Sequence, residues 1–180
     1  NTLTLFRIAL IPVFVVMFYL PFSWSFLASA VVFVLAALTD WLDGYLARRL
    51  DQSTSFGAFL DPVADKLAVT VALFLIVQAD KTALMAVTAA IIVGREITIS
   101  ALREWMAAIG ERTKVGVAWL GKVKTVVQMI AIIILLMQHR YVGKPLYWFG
   151  KALLIAAAAL TIWSAVVYLR AAWPVIRSRA

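Results

Sequence analysis

The chain contains no cysteine and one histidine, His139, in 180 residues. The first absence excludes thiol catalysis, disulfides and thiolate metal sites. The second leaves no imidazole cluster for a metal and argues against a covalent histidine mechanism. His139 is expected in a loop beside Arg140, away from the acidic residues. Charge is also scarce: 14% of residues are charged and nine are acidic, whereas 64% are apolar and mean hydropathy is +0.97. A soluble domain of this length needs far less apolar surface.

What is present is a series of apolar runs, each close to the ~20 residues that cross a ~30 Å hydrocarbon core. They cover residues 3–20, 26–50, 59–79, 82–108, 119–137 and 146–172. None alternates polar with apolar, which excludes the strands of a membrane β-barrel. The expected fold is therefore an all-α polytopic membrane protein with six transmembrane helices, in one integral-membrane domain over residues 1–180. The first run is not expected to be a cleaved signal peptide. It carries Arg7 and Pro12, lacks a small-residue cleavage site and leads straight into a second span.

The seventeen basic residues give a net charge of +8, yet they form neither the stripe nor the tail of a nucleic-acid binder. They collect at span ends, where lysine and arginine encode topology. A cytoplasmic N-terminus places Arg7, Arg48, Arg49, Lys66, Arg95, Arg103, Arg112, Lys114, Lys122, Lys124, Arg170, Arg177 and Arg179 on the cytoplasmic side. It leaves Lys81, Arg140, Lys144 and Lys151 on the far side. That asymmetry favours a multi-pass protein of the cytoplasmic membrane. The tryptophans and tyrosines near span ends, such as Trp24, Tyr141, Tyr147, Trp148 and Trp173, read as interfacial anchors.

Against this background four of the acids are crowded together. The chain reads D-W-L-D-G-Y-L-A-R from Asp40, then, after eight residues, G-A-F-L-D-P-V-A-D from Gly57. A carboxylate at a membrane is costly and marks a functional site by default. Asp40 and Asp43 share a helical face, as do Asp61 and Asp65. Between the pairs a polar turn over residues 49–60 is expected, with Asp61 capping the third helix and Pro62 in its first turn. Four converging carboxylates would protonate unless a cation neutralised them. Oxygen-only donors favour a hard ion, Mg²⁺ or Mn²⁺, with two ions expected. Gly44, Ala47 and Gly57 leave room for a ligand to approach the backbone, although small residues also permit close helix packing. Arg48 lies where it can meet a phosphate or a neighbouring carboxylate.

The pattern D-x2-D-G-x2-A-R-x8-G-x3-D-x3-D resembles the signature of the CDP-alcohol phosphatidyltransferases, and residues 40–65 fit it without gap or substitution. The resemblance implies a six-helix membrane enzyme, usually a homodimer, that moves a phosphatidyl or related group from a CDP-linked donor to an alcohol and releases CMP. It implies metal ligation by Asp40, Asp43, Asp61 and Asp65, with Asp65 also the general base. It further implies donor contacts from Asn1, Thr4, Gly44, Ala47, Arg48, Thr54 and Gly57. Three more stretches, N-T-L-T-L-F-R-I from Asn1, G-R-E-I-T-I-S-A-L-R-E-W-M from Gly94 and W-L-G-K-V-K-T from Trp119, resemble bacterial members whose donor is CDP-diacylglycerol and whose acceptor is glycerol 3-phosphate. Because Asn1 falls almost inside the first of these, a few native residues, an initiator methionine among them, are expected to precede it.

A dianionic acceptor needs cations. Arg95 and Arg103, eight residues apart and so ~80° apart around a helix, can face one cavity. With Lys122 and Lys124 they are the candidate acceptor-phosphate residues. The plainer alternative is that these are interfacial anchors whose stems snorkel. Serine, an inositol phosphate or phosphatidylglycerol are the other acceptors the pattern allows. A carboxylate-dependent cation transporter is the alternative from a different class.

Overall fold

The computed structural model describes the backbone of residues 2–50, 55–110 and 119–179, and the side chains of 4–39, 60, 62–110, 123–138 and 140–177. Among the described residues all regular structure is helical: α1 Thr2–Tyr19, α2 Ser25–Leu50, α3 Ser55–Asp80, α4 Ala83–Ala108, α5 Trp119–Leu136 and α6 Gln138–Arg179. Among the described residues three stretches are long and apolar enough to cross a membrane, Pro62–Asp80, Ala83–Ala108 and Arg140–Arg177. An apolar core is present, but large apolar side chains also cover the outside and several polar ones are buried. Phe6, Phe74, Ile97, Trp148, Trp163 and Trp173 face outward, whereas Thr4, Arg7, Ser29, Lys124, Gln128, Thr161 and Ser164 are buried. Large outward apolar surface is an aggregation liability in water and the ordinary state in lipid. The chain is an integral membrane protein.

Four expectations need correcting. α3 begins at Ser55 rather than residue 59. Pro62 therefore lies inside the helix and Asp61 is not its cap. The expected 49–60 turn is largely taken up by helix, with residues 51–54 outside the description. At the other end, α6 starts at Gln138, so the backbone at His139 is helical where a loop was expected. Periodicity missed these points because a proline is a breaker only on average, and a polar first turn looks like loop composition.

The chain divides into two compact units, Asn1–Asp80 with Ile132–Phe149, and Lys81–Ala131 with Gly150–Ala180. In the first unit α1 buries Thr4, Arg7, Ile11, Phe14 and Phe18, a three-and-four spacing that makes one helical stripe. Its lower half is polar and its upper half aromatic. Phe14 meets Phe33 of α2 at 5.9 Å between ring centroids, and Phe18 meets Phe26 edge-on at 5.3 Å. α3 presents Ala64, Ala68 and Ala72, small side chains four apart that let neighbouring helices come close. Arg7 pairs with Asp65, and twelve residues further on Tyr19 donates to Gln78. Both partners advance in the same direction, so α1 and α3 run parallel. Where the chain re-enters this unit, Gly143 (φ 76°, ψ 160°) breaks α6, and Tyr147 beyond it donates to Asp80 at 2.9 Å.

The second unit opens at Thr82, whose hydroxyl caps α4 by accepting from the Met85 N–H at 3.4 Å. α4 ends at Ile109–Gly110, where Gly110 takes φ +81°. Ile99 and Met106 of α4 pack with Tyr168, Ala172 and Val175 of α6 in one buried cluster. Arg95 and Arg103 of α4 bond in the same order to Ser164 and Tyr168 of α6, so these helices also run parallel.

Candidate functional site

In the first unit the described centre is the pair Arg7–Asp65, with Nη1 donating to Oδ1 at 2.7 Å. The Arg7 side chain is 2% exposed and that of Asp65 is 46% exposed. A guanidinium buried to that degree requires a carboxylate, since an uncompensated buried charge costs several kcal/mol. Asp65 therefore opens toward the outside of its unit while its other flank is tied to the interior. Sequence reasoning placed Arg7 among the topology-setting cations and missed this role. The signal was available: a lone arginine one turn from Thr4 in an otherwise apolar run.

The register of α2 adds to this centre. The helix buries Ser29, Phe33 and Ala36, and it continues unbroken to Leu50. In the sequence the same three-and-four spacing recurs at Asp40, Asp43 and Ala47, whose side chains lie outside the described residues. Asp61 sits one turn before Asp65 on α3. Four carboxylate positions on two helices, with no nitrogen or sulfur donor among them, make a donor set that fits a hard divalent cation. Among the described side chains no three acidic or histidine groups converge. The side chains of Asn1, Asp40, Asp43, Gly44, Ala47, Arg48, Thr54, Gly57, Asp61, Lys122 and His139 lie outside the described residues. Thr4 is described and is buried on the same stripe as Arg7.

The second unit carries a polar centre of opposite sign. Arg95, 10% exposed, donates from Nη1 to Glu96 at 2.9 Å and from Nη2 to the Ser164 hydroxyl at 2.7 Å. Lys124 of α5, buried, also bonds Glu96. Arg103 donates from Nη2 to the Tyr168 hydroxyl at 2.9 Å, and its guanidinium carbon stands 4.9 Å from that ring's centroid. The Arg95 guanidinium carbon lies 6.0 Å from the same centroid. Each such cation–ring contact contributes about 0.5–2 kcal/mol, more where water is excluded. Arg95, Arg103 and Lys124 are thus gathered around one carboxylate and one aromatic ring. The ~80° offset between the arginines proves compatible with a shared neighbour. Three buried polar atoms in this unit have no hydrogen-bond partner: Arg95 Nε, Gln128 Oε1 and Thr161 Oγ1. Ser164 and Tyr168 were not singled out by the sequence, because neither is charged and both fit an ordinary apolar span.

Comparison with known proteins gives the family of the chain. A model of the CDP-alcohol phosphatidyltransferase family matches residues 1–163. A CDP-diacylglycerol–glycerol-3-phosphate 3-phosphatidyltransferase from Pseudomonas fluorescens is 52% identical, over 99% of this chain and 91% of its own. Proteins of the same name from Pectobacterium atrosepticum and Escherichia coli K12 are 55% and 53% identical, each over 94% of this chain and 92% of their own. Members of the family are enzymes that in general depend on a divalent metal, and the oxygen donor set of α2 and α3 agrees with that requirement. Motif, register and near-complete matching converge: the chain belongs to the CDP-alcohol phosphatidyltransferase family.

Proposed function

We propose that the chain transfers the phosphatidyl group of CDP-diacylglycerol to the primary hydroxyl of sn-glycerol 3-phosphate, giving phosphatidylglycerophosphate and CMP. The observation that carries this reading is identity above one half, across more than nine-tenths of both chains, to relatives that bear that activity in their names. In the step itself the acceptor oxygen forms a bond to the phosphatidyl phosphorus. The bond from that phosphorus to the CMP oxygen breaks, and its electron pair leaves with CMP. The hydroxyl proton passes to the Asp65 carboxylate, which a general base within hydrogen-bond reach can accept. Arg7 holds Asp65 Oδ1 and so fixes the orientation from which the carboxylate works.

Two Mg²⁺ or Mn²⁺ ions held by Asp40, Asp43, Asp61 and Asp65 would supply neutralisation of the pyrophosphate and of the charge that develops on the leaving phosphate. Asn1, Thr4, Gly44, Ala47, Arg48, Thr54 and Gly57 bind the CDP-diacylglycerol head, the small residues by admitting it close to the backbone. Arg95, Arg103, Lys122 and Lys124 bind the acceptor phosphate. Supporting this, the described members of that set exceed their local carboxylate by two charges, Arg95, Arg103 and Lys124 against Glu96. A phosphate monoester near neutral pH is a dianion of matching size. Glu104, exposed beside Arg103, takes no part in the network.

The chain acts as one catalytic domain with six transmembrane helices, as a homodimer in the bacterial cytoplasmic membrane. Its site faces the cytoplasm, so that acyl chains remain in lipid while cytidine and acceptor arrive from water. The purified protein, given CDP-diacylglycerol and Mg²⁺, should release CMP with glycerol 3-phosphate and far more slowly with serine, an inositol phosphate or phosphatidylglycerol. Absence of CMP release with glycerol 3-phosphate would overturn the assignment of the acceptor.

A further inference from the structure

Two arginines that are to share one phosphate must first be held near each other without it, against their mutual repulsion. Tyr168 stands where that can be done. Its buried ring lies beside both guanidiniums, at 4.9 Å from Arg103 and 6.0 Å from Arg95, and its hydroxyl accepts a bond from Arg103 at 2.9 Å. One turn earlier on the same helix, Ser164 accepts from Arg95 at 2.7 Å. Ser164 in turn donates to the Thr161 carbonyl at 2.9 Å, so its oxygen is oriented by the helix that carries it. The electron-rich ring face attracts a cation, and the ring itself is buried, although Arg103 reaches it from an exposed position. Arg95 still has a buried, unpartnered Nε–H, a donor left over after Glu96 and Ser164 have been served.

We infer that Tyr168, assisted by Ser164, is a specificity-determining positioning residue that pre-aligns Arg95 and Arg103 for a phosphomonoester acceptor. The inference rests on the acceptor-phosphate reading given above. It adds that the selectivity for a phosphorylated over a plain alcohol, carried by cations of α4 and α5, also depends on α6 residues past 163, where the family match ends. Pre-alignment lowers the ordering cost that the acceptor must otherwise meet on binding. Its loss should appear in acceptor affinity and leave the donor unaffected.

The test compares Tyr168→Phe, Tyr168→Leu and Arg103→Ala in steady-state assays with CDP-diacylglycerol and Mg²⁺. Glycerol 3-phosphate is the acceptor, and glycerol is the same alcohol without its phosphate. Tyr168→Phe, which keeps the ring, should raise KM for glycerol 3-phosphate about threefold to fivefold. Tyr168→Leu should raise it tenfold or more. In both, KM for CDP-diacylglycerol should hold within twofold, and the preference for glycerol 3-phosphate over glycerol should shrink by the same factor as the affinity. Added to Arg103→Ala, Tyr168→Leu should cost less than it does alone. If Arg103→Ala leaves KM for glycerol 3-phosphate unchanged, the acceptor-phosphate reading fails. If Arg103→Ala raises that KM but Tyr168→Phe and Tyr168→Leu do not, only the positioning role fails. A fall in kcat with both KM values unmoved, or an equal shift for donor and acceptor, would also overturn it by showing a structural role. Should Tyr168→Leu not fold, the Tyr168→Phe result decides alone.

Discussion

The two polar centres differ in composition: the sequence motif of the first is rich in acids, and the described cluster of the second is rich in cations. Among the described residues of the first unit, the buried Arg7 pairs with Asp65, the last of four aspartates in the sequence motif. In the second, three cations gather on one glutamate and one tyrosine ring. An acid surplus is a place for cations, and a cation surplus is a place for an anion. Neither surplus is affordable in an apolar bundle unless a ligand regularly balances it, because like charges at low dielectric repel strongly. On the function proposed above, metal and donor pyrophosphate belong to α1–α3 and acceptor phosphate to α4–α6, a division that the following experiments test.

The sharpest way to break that division is at the acid centre. Removing divalent ions with a chelator should take CMP release to background, and added Mg²⁺ or Mn²⁺ should restore it. Asp65→Asn should reduce kcat by about 10²–10⁴-fold, the usual contribution of a general base. KM for glycerol 3-phosphate should change little. Full turnover by either the chelated enzyme or the variant would remove the metal or the base from the scheme.

The same centre makes a stability prediction with an unusual sign. Asp65→Ala removes the carboxylate that pairs with the buried Arg7 guanidinium, and should destabilise the folded protein in detergent by about 3 kcal/mol. Because the buried partner is Arg7 and Asp65 is nearly half exposed, the reverse change Arg7→Met should cost less. The double variant should be more stable than Asp65→Ala alone. Unfolding midpoints of the three proteins check this. Additive losses would show that the pair is not coupled.

At the cation centre the expected effects are smaller and fall on a different parameter. Arg95→Ala or Lys124→Met should raise KM for glycerol 3-phosphate about 10–100-fold, following the ~1.5–3 kcal/mol of a hydrogen bond to a charged group. KM for CDP-diacylglycerol should stay put. If instead the donor KM moves in step, the two centres are not the separate devices that their opposite charges suggest.

What was legible in the sequence was whatever depends on near neighbours along the chain. The aspartate spacing, the apolar runs and the basic residues of α4 and α5 are local patterns, and each falls on a helix in the structure. Arg7–Asp65 spans 58 residues and Arg103–Tyr168 spans 65. Such pairs depend on which helix faces which, and periodicity does not carry that information. Pro62 misled for a related reason. Its helix starts seven residues earlier, at Ser55, in a stretch whose polarity reads as a turn.

A last and smallest prediction supplies the control that belongs to neither centre. Gly143 takes φ 76° where α6 breaks, and a built Cβ would meet only Pro145 Cδ at 3.8 Å, an ordinary contact. Space is therefore not the obstacle to a side chain there; the backbone is, since φ 76° with ψ 160° is a region essentially confined to glycine and costs an L-residue about 1–3 kcal/mol. Gly143→Ala should lower the unfolding midpoint by a few degrees, since ~1 kcal/mol corresponds to roughly 2–4 °C at this chain length. Both KM values and the metal requirement should be those of the parent. A variant that loses stability without touching either substrate isolates the scaffold from the chemistry. A changed acceptor KM in Gly143→Ala would mean that acceptor affinity follows general helix order, and the shifts at Arg95 and Lys124 could then no longer be assigned to their charges.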